Sequence, residues 1–446
     1  MPKTSGIYGR VVLPLMYAAK GDFRFAYFNR YKKNLTKSRE AIEKYQLWRL
    51  QKLVKHAYST VPYYRDLFDS QGIDPSNIKS LADYRKIPPL TKKIMMKNLH
   101  ALKSTRRYKL QETVSGGSTG NRIVVFKDKK YEQIEKGVWM RDLYSVGVKP
   151  GDKVAWFWGS QLETRELAEN TLKVLSLKVN RRIIFNSFNY TDRQLREWLL
   201  NDFNRFKPDH IFGYASAIYY VARYVHENKL KIHPVKTIIT TAEKLTNRSF
   251  IEKVFGCKVI DHYGCREVST IAIEDMNYVM HSSDDFVLVE VGENNKIMLT
   301  TLENYGMPLL RYENGDVADT ARYRKTKDAS PLRKLSIKIG RISEVFYNPK
   351  GERVRASAIG HIIANRKLDI GDYQVIQKSL KLTQLKLVRS SDINPKHVRE
   401  LKEFIKYLVG CQQIQVSYVK AFPLPESGKR IPYICEVKHE DIDNKL

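Results

Sequence analysis

The strongest constraint on the fold is a series of short apolar segments between residues 122 and 263 that alternate with helical patterns. The strand-like segments are RIVVF (122–126), KVAWFW (153–158), RRIIF (181–185), HIFGY (210–214), KTIITT (236–241) and KVIDHY (258–263). Helical patterns lie between them near 129–146, 161–176, 192–205 and 216–228. Strands that are apolar throughout require cover on both faces of a sheet. The order therefore predicts a layered α/β domain.

The predicted secondary-structure pattern changes after about residue 285. Two paired short strands, FVLVEV (286–291) and KIMLTTL (296–302), predict an antiparallel, β-barrel-like subdomain. Beyond residue 341 a helix (356–365), two strands, a helix (395–408) and the strand QIQVSYV follow. This order predicts a small ferredoxin-like α+β domain. We therefore expect a large domain over 37–340 and a small, mobile carboxyl-terminal domain over 341–446, with a hinge near Gly340.

The amino-terminal part of the chain, up to Ser70, divides into two segments. Positions 37–70 carry apolar side chains at three- and four-residue steps, which predicts an amphipathic helix that Pro62 interrupts. Positions 1–36 form a basic and aromatic segment whose apolar stretch, 11–19, is much shorter than the ~20 residues that span a bilayer. That stretch also lacks the small-residue cleavage site of a secretory signal.

Composition limits the class of protein. A chain of 446 residues exceeds one compact core, and its apolar fraction of 42% indicates a folded protein. Its four cysteines, Cys257, Cys265, Cys411 and Cys435, are scattered without metal-ligand spacing, which predicts free thiols and a cytoplasmic location.

The formal charge of +30 requires an account of partners. Solvated faces and affinity for small anions are one explanation. Nucleic acid is disfavoured because the basic residues are spread along the chain and no nucleic-acid-binding motif is present. Peripheral association with an anionic membrane, at the inner face, is a third interpretation, because the first ~35 residues mix Arg and Lys with Tyr, Phe, Leu and Met.

A run of small residues, TVSGGSTGN (113–121), precedes the first strand-like segment. It lacks the GK[ST] ending of a Walker loop and the helix that such a loop opens. Glycines and hydroxyls in succession can present backbone N–H groups to an anion such as phosphate. Taken alone, the run is more typical of a surface turn.

Four further motifs follow in order: DHYGCREV (261–268), LLRYENGDVA (309–318), IKIGRISEVF (337–346) and LPESGKRIPY (424–433). With SGGSTGN, this set resembles the adenylate-forming superfamily, whose members couple ATP to a carboxylate as an acyl-adenylate. LVKHAYSTVPYYRDLF and IKSLADYRKIPPLTKK are similar to the branch of phenylacetate-CoA ligases and capsular polysaccharide ligase-like proteins. The resemblance extends from about Tyr31 to the carboxyl end.

The resemblance implies a nucleotide-binding set. The loop would hold the β- and γ-phosphates through Ser115, Gly116, Gly117, Ser118, Thr119 and Gly120. Relatives often have a lysine two residues after this loop, where Arg122 stands here and could supply the same charge.

In YGCRE, Tyr263 and Gly264 would lie against the adenine, and Glu267 would ligate Mg²⁺, which suits an oxygen donor. An exposed turn carboxylate is the alternative for Glu267. Arg266 replaces a frequent threonine and could offer a charge-assisted contact instead. His262 would face the substrate or serve the structure, and the structural role is favoured.

Three further residues complete the implied site. Asp316 matches the carboxylate that accepts hydrogen bonds from the ribose hydroxyls. Arg341 matches an arginine beside ribose and phosphate, and Lys429 the catalytic lysine that bridges the carboxylate and the α-phosphate. A solvated arginine and an exposed loop lysine are the alternatives. Ser343 stands where many relatives have the hinge aspartate.

The segment FGYASAIYY (212–220) resembles the wall of the acyl pocket. Tyr214 would form a wall, and Ala215 and Ser216 would leave room beside it, with His262 nearby. Packing at the start of a helix explains these residues equally well.

The resemblance implies an AMP-forming ligase that uses ATP and Mg²⁺ to activate a small carboxylic acid and passes the acyl group to coenzyme A. It is compatible with a homodimer and with surface polysaccharide biosynthesis. One alternative transfers the acyl group to an amine or a sugar hydroxyl. Another is a non-catalytic nucleotide-binding, membrane-associated protein, which only Arg266 and Ser343 support.

If Lys429 has the catalytic role, Lys429→Ala should abolish adenylate formation while the protein remains folded, because no other ammonium then offsets the repulsion between the two reacting anions. ATP–pyrophosphate exchange measures this step directly. Exchange at the unchanged rate in a folded variant would remove Lys429 from the site.

Overall fold

The computed structural model describes residues 4–115, 123–158, 171–187, 190–242, 245, 247–322, 330–339, 345–349, 353–356, 359–360, 362–363, 368–389, 393–422 and 432–437. The chain forms two compact units. The large unit comprises Met1–Thr113 and Val124–Gly340, and the small unit comprises Val114–Ile123 and Arg341–Leu446.

The helices that precede or accompany the large sheet are mostly short. They are Thr4–Ile7 (α1), Leu13–Ala19 (α2), Arg24–Asn34 (α3), Arg39–Thr60 (α4), Pro62–Gln71 (α5), Leu81–Tyr84 (α6), Lys92–Lys97 (α7), Lys129–Ser145 (α8), Thr171–Val179 (α9), Asp192–Glu197 (α10), Asn204–Phe206 (α11), Ala215–Glu227 (α12) and Arg248–Phe255 (α13). Two π-helical turns, Tyr8–Val12 and Trp198–Phe203, continue α1 and α10, and 3₁₀ turns occupy Pro75–Asn77 and Glu293–Asn295.

The strands up to residue 339 form one small and one large sheet. They are Leu110–Ser115 (β1), Ile123–Asp128 (β2), Val154–Trp158 (β3), Arg182–Asn186 (β4), His210–Tyr214 (β5), Thr237–Thr241 (β6), Lys258–Cys265 (β7), Ser269–Glu274 (β8), Met280–Ser282 (β9), Val287–Val291 (β10), Lys296–Thr301 (β11), Tyr312–Arg322 (β12) and Lys334–Ile339 (β13). β1 pairs with β2, and the others form an eleven-stranded sheet in the order β10-β11-β12-β13-β9-β8-β7-β6-β5-β3-β4.

The large sheet has a parallel part and an antiparallel part. β4, β3, β5, β6 and β7 are parallel, and each of these strands lies where the apolar segments predicted one. The two antiparallel strands predicted after residue 285 are β10 and β11. Together with β12 and β13, which were not predicted, they extend the same sheet, because β13 pairs with β9 through Lys334 and His281.

The parallel strands are covered on both faces, as their continuous apolar character predicts. Ile211, Ile238 and Val259 belong to one buried cluster, together with residues of α12. Their chain neighbours Phe212, Ile239 and Ile260 belong to a second cluster, against which Trp139 of α8 packs. Successive side chains of a strand point to opposite faces, so each strand supplies both layers of core.

The predicted helix over 37–70 is two helices. α4 begins after Ser38, whose Oγ accepts a hydrogen bond from the Ala41 amide at 3.2 Å. It ends at Thr60, and Pro62 occupies the first turn of α5, where its missing N–H has no helical partner to lose. Proline interrupts the first helix, as predicted, and also begins the second.

The amino-terminal helices pack against residues that lie far along the chain. Asn34 Nδ2 donates to Asp285 Oδ2 at 2.8 Å, and Tyr31 Oη donates to Glu303 Oε1 at 3.0 Å. Tyr64 Oη donates to the Pro308 carbonyl oxygen at 3.1 Å. These helices are therefore part of the large unit.

The small unit contains a second sheet. Its elements are Val345–Tyr347 (β14), Arg353–Arg355 (β15), Tyr373–Gln377 (β16), Leu382–Val388 (β17), Pro395–Val409 (α14), Gln413–Val419 (β18) and Tyr433–Cys435 (β19). β14 pairs with β15, and the other four strands have the order β18-β17-β16-β19, with β16 and β17 antiparallel. Leu401 and Ile405 of α14 pack on this sheet. The hinge predicted at Gly340 and half of the residues of the helix predicted at 356–365 lie outside the described residues.

Two further observations concern the whole described chain. All four cysteines are free. No helix among the described residues combines the length and the apolar character that crossing a bilayer requires.

A buried ion network lies where α8 meets the strands. Arg141 is fully buried, and its Nη1 and Nη2 donate to the two carboxylate oxygens of Asp285 at 3.1 and 3.0 Å. Its Nε donates to Asp142 Oδ1 at 2.7 Å. Burial alone would lower the pKa of Arg141, but the charges of Asp285 and Asp142 outweigh burial and raise it. Arg141 is therefore a permanent cation between two buried anions.

Removing this cation should destabilise the large unit strongly. We expect Arg141→Met to lower the free energy of unfolding by about 3–5 kcal/mol, because Asp142 and Asp285 would remain buried without a cation. Urea unfolding followed by circular dichroism measures the loss. Arg193→Met is the control, since it removes an ion pair with Glu197 whose side chains are 85% and 55% exposed, and we expect no measurable change. Equal stability of the two variants would contradict the structural role of the network.

Candidate active site

The carboxyl ends of the central parallel strands bring several predicted residues into one row. Tyr214, the last residue of β5, is paired with Thr241 of β6, and Thr241 is paired with His262 of β7. In open α/β sheets, ligands bind at this edge, outside the carboxyl ends of the strands. Tyr214 and His262, both predicted to line the substrate pocket, therefore lie two strands apart at the edge where a ligand is expected.

Tyr214 is held by an aromatic neighbour that the sequence did not single out. Its ring stacks on Trp158, the last residue of β3, with 4.2 Å between ring centroids and an interplanar angle of 7°. Ala215 begins α12 and is buried. The side chain of Ser216 lies outside the description. Both the predicted pocket wall and the alternative of packing at a helix start agree with this arrangement.

His262 is fixed by a chain of hydrogen bonds. The Thr270 hydroxyl donates to Asp142 Oδ2 at 2.6 Å, so its single hydrogen is committed to that carboxylate. His262 Nε2, 2.9 Å from Thr270 Oγ1, must then carry the hydrogen and donate. Nδ1 accepts from the Thr241 hydroxyl at 3.1 Å. Burial lowers the pKa of His262 to about 4. Both nitrogens of this neutral imidazole are occupied by protein partners, an arrangement that agrees with the structural role the sequence favours.

Two residues predicted to bind the nucleotide are joined directly. Tyr263 Oη donates to Asp316 Oδ2 at 2.7 Å. The Asn314 side-chain amide lies 2.7 Å from Tyr263 Oη and 2.9 Å from Asp316 Oδ2, and donates to both. Burial raises the pKa of Tyr263 well above its usual value, and Asp316 raises it further. Asn314 was not predicted, although it lies two residues before Asp316 and hence on the same strand face.

This contact requires a strongly curved sheet. β7 and β12 are separated by β8, β9 and β13, which in a flat sheet places them about 19 Å apart. Neither tyrosine nor aspartate can bridge that distance. The register shifts between β12 and its neighbours β11 and β13, and Gly315 has a φ of +84°, a conformation that favours glycine. The antiparallel part therefore curls back so that β12 meets the carboxyl end of β7.

Glu267 is buried in the same region, with 2% of its surface exposed, so the exposed-turn alternative does not describe it. Tyr312 Oη donates to Glu267 Oε1 at 3.2 Å. The charge of Glu267 adds to burial in raising the pKa of the Cys265 thiol. Among the described residues, no lysine or arginine forms an ion pair with Glu267. A buried carboxylate without a cation is unfavourable, so this position suits a bound metal ion.

The described part of the chain contains no group of three or more His, Cys, Asp or Glu side chains that could hold a metal ion. Mg²⁺ is usually held by one or two carboxylates together with substrate phosphates, so a single carboxylate such as Glu267 would be enough to hold it.

Gly264 lies between Tyr263 and the turn that leads to Glu267. A Cβ atom at this position would collide with the Ser269 carbonyl oxygen and come within 3.2 Å of His262 Cε1. The strand pair β7–β8 has a register shift at the same place, between Tyr263 and Gly264. Glycine is required here by close approach of the backbone.

The remaining predicted residues lie elsewhere or are not described. Arg266 is exposed. Ser115 ends β1, but its side chain is outside the description. The residues wholly outside the described ranges are Gly116, Gly117, Ser118, Thr119, Gly120, Arg122, Arg341, Ser343 and Lys429.

Comparison with known proteins shows which chains this one resembles. Residues 346–434 match the family model of the CapK C-terminal domain. Over 440 residues the chain is 22% identical to Protein CapK of Staphylococcus aureus, covering 95% of this chain and 97% of the relative. Over 443 residues it is 25% identical to the phenylacetate-coenzyme A ligase of Escherichia coli (strain K12), covering 91% and 97%. Over nearly its whole length the chain is therefore similar to CapK and to phenylacetate-coenzyme A ligases.

The chain has the fold of adenylate-forming ligases. A crystal structure of 2-hydroxyisobutyryl-CoA ligase, in complex with 2-HIB-AMP and CoA in the thioesterification state, superposes with a TM-score of 0.61. The two sequences are 18% identical, and 93% of each chain is covered. The predicted fold class, an α/β adenylation domain with a small carboxyl-terminal domain, is confirmed.

The environment of His262 generates a pH prediction. The histidine titrates near 6.5 in an unfolded chain and at about 4 when buried here, so stability is lost as the pH falls from about 6.5 towards 4. Between pH 7 and pH 4.5 this costs about 2 kcal/mol. Glutamine also offers a donor and an acceptor but does not titrate. Between pH 7 and pH 4.5 we therefore expect the unfolding free energy of His262→Gln to fall by about 2 kcal/mol less than that of the parent protein.

The measurement must separate His262 from its neighbour. Burial raises the pKa of Asp261 to about 7, so Asp261 favours the fold as the pH falls and opposes His262. Both proteins contain Asp261, and the difference between their urea unfolding free energies at the two pH values isolates His262. Equal pH dependence in the two proteins would show that His262 does not titrate as its burial requires.

Proposed function

We propose that this protein is an AMP-forming acid–thiol ligase, which activates a small carboxylic acid with ATP to an acyl-adenylate and passes the acyl group to coenzyme A. The observation that carries the proposal is the contact of Tyr263 with Asp316, beside the buried Glu267. Two residues 53 positions apart, to which the sequence resemblance assigns the adenine and the ribose, share one hydrogen bond. The family relatives named as phenylacetate-coenzyme A ligases support the same activity.

The described residues would act mainly by orientation. Tyr263 and Asn314 hold one oxygen of the Asp316 carboxylate, so this acceptor is positioned before the nucleotide arrives. The backbone amide of Asp316 donates to Asn314 Oδ1 at 3.0 Å, which also fixes the amide side chain. A carboxylate held in this way loses little side-chain entropy when it accepts the ribose hydroxyls.

Several residues would neutralise the negative charge of ATP and the carboxylate. Glu267 would hold Mg²⁺, and a bound Mg²⁺ would offset the phosphate charge of ATP. By resemblance, the loop from Ser115 to Gly120 would bind the phosphates, Arg341 would contact ribose and phosphate, and Lys429 would bridge the reacting anions. The domain division at 340–341 would let the small domain move between the two half-reactions, also by resemblance.

A second candidate acceptor is a sugar hydroxyl or an amine in surface polysaccharide assembly. The match of residues 346–434 to the CapK C-terminal domain supports this second candidate. AMP release from a preformed acyl-adenylate, measured with coenzyme A and with a nucleotide-linked sugar, distinguishes the two. If AMP release depends on the sugar and not on coenzyme A, the acceptor is the sugar hydroxyl and not the thiol.

The activity is tested by ATP–pyrophosphate exchange across a panel of carboxylic acids. If Asp316 binds the ribose, Asp316→Asn should raise the KM for ATP by roughly 10–100-fold, because hydrogen bonds to a charged group contribute about 1.5–3 kcal/mol. The acid that supports ATP–pyrophosphate exchange is identified as the substrate.

A matched control exists in the same unit. Tyr58 Oη donates to Asp69 Oδ1 at 2.9 Å, which is the same type of bond on the surface of α4 and α5. Asp69→Asn should leave the KM for ATP unchanged. An equal rise in both variants would indicate a general loss of folding, and no exchange with any acid by the parent protein would contradict the proposal.

A further inference from the structure

The amino-terminal segment forms a helix that is fixed to the large unit on one side. α1, the π-helical turn and α2 follow one another without a break from Thr4 to Ala19. Tyr8 Oη donates to the Val179 carbonyl oxygen at 2.7 Å, and Tyr17 Oη donates to Asn180 Oδ1 at 2.9 Å. Leu13 is buried, and Gly9 leaves no room for a Cβ atom against the Pro150 carbonyl.

The outer side of the same helix is apolar. Ile7, Val11 and Leu15 succeed one another at four-residue steps and are 63%, 50% and 65% exposed. Residues four apart on a helix are neighbours on one face. Val12 and Phe23 are also exposed, at 37% and 53%. We call Ile7, Val11 and Leu15 the amino-terminal apolar face.

Such a surface is unusual for a helix packed on a globular unit. An amphipathic helix normally turns its apolar side to the core and its polar side to water. Of the large apolar side chains that are exposed in the described chain, more than a third belong to the short segment that ends at Phe23. The concentration indicates an interaction surface rather than scattered exposure.

The charge around this face identifies its partner. The segment from Met1 to Leu35 contains seven basic side chains and one acidic side chain. The acidic residue, Asp22, is paired with Arg24, while Arg10 and Lys20 are exposed. Arg181 lies over the ring of Tyr8, with 4.7 Å between its Cζ and the ring centroid, and adds a further cation beside the helix.

We propose that the amino-terminal apolar face docks this protein on the surface of an anionic lipid bilayer. The apolar side chains would enter the boundary between headgroups and acyl chains, and the basic residues would attract the lipid phosphates. A second copy of the chain fits less well, because it would bring two strongly positive segments together. The inference does not depend on the ligase activity.

The test is flotation of the full-length protein with vesicles. The parent should bind vesicles of phosphatidylcholine mixed with phosphatidylglycerol, chosen as the anionic probe, and bind pure phosphatidylcholine much less. Ile7→Gln/Val11→Gln/Leu15→Gln removes the apolar stripe without touching a buried residue. We expect at least about a tenfold lower partition coefficient for this variant, since three large side chains no longer leave water.

A matched triple variant controls for loss of exposed apolar surface in general. Met96→Gln/Tyr407→Gln/Tyr418→Gln alters side chains that are 44%, 80% and 50% exposed, and it should bind as the parent does. Arg10→Gln/Lys20→Gln should weaken binding most at low salt. Equal binding of the parent and the stripe variant would overturn the proposal. Absence of vesicle binding by the parent would also overturn it. If the parent then forms a dimer that the stripe variant cannot form, a second copy of the chain is the partner.

Discussion

The structure depends on one buried cation. Arg141 holds Asp285 and Asp142 together at the junction of α8, the turn before β10 and the strands of the sheet. Asp285 continues to Asn34 of α3, and Asp142 continues through Thr270 to His262. Taking charges out of water is costly unless every group is paired. The arrangement is therefore specific: the amino-terminal helices, α8 and β7 must be in place together for any of these charges to be satisfied.

The candidate site inherits its geometry from this core. His262 is locked on one side of β7, which fixes the neighbouring Tyr263 on the other side, because successive side chains alternate across a strand. Tyr263 then meets Asp316 only because the antiparallel strands curl back over the sheet. The site thus depends on two properties of one sheet, the immobilised end of β7 and the curvature around β12, and neither belongs to a single motif.

Some of this could be predicted from the sequence and some could not. The parallel strands were predictable because burial on both faces requires apolar residues throughout, and residues such as Ile238 and Ile239 show it directly. The core position of Arg141 was not, because its acidic partner Asp285 lies on a distant part of the chain. Tyr263, Glu267 and Asp316 were named through family resemblance, whereas Trp158, Tyr312 and Asn314 became candidates only when the folded sheet placed them beside those residues.

The first helices pack against residues near 303 and 308, so these contacts cannot form until that part of the chain has been synthesised. Tyr31 and Tyr64 meet partners that follow them by 272 and 244 positions. At about 5–20 residues per second, a ribosome needs on the order of ten to fifty seconds to supply those partners. During that interval Tyr31 and Tyr64 have no native partners for their hydroxyl groups. Long sequence separation of contacts slows folding, so these two contacts can form only after more than two-thirds of the chain has been made.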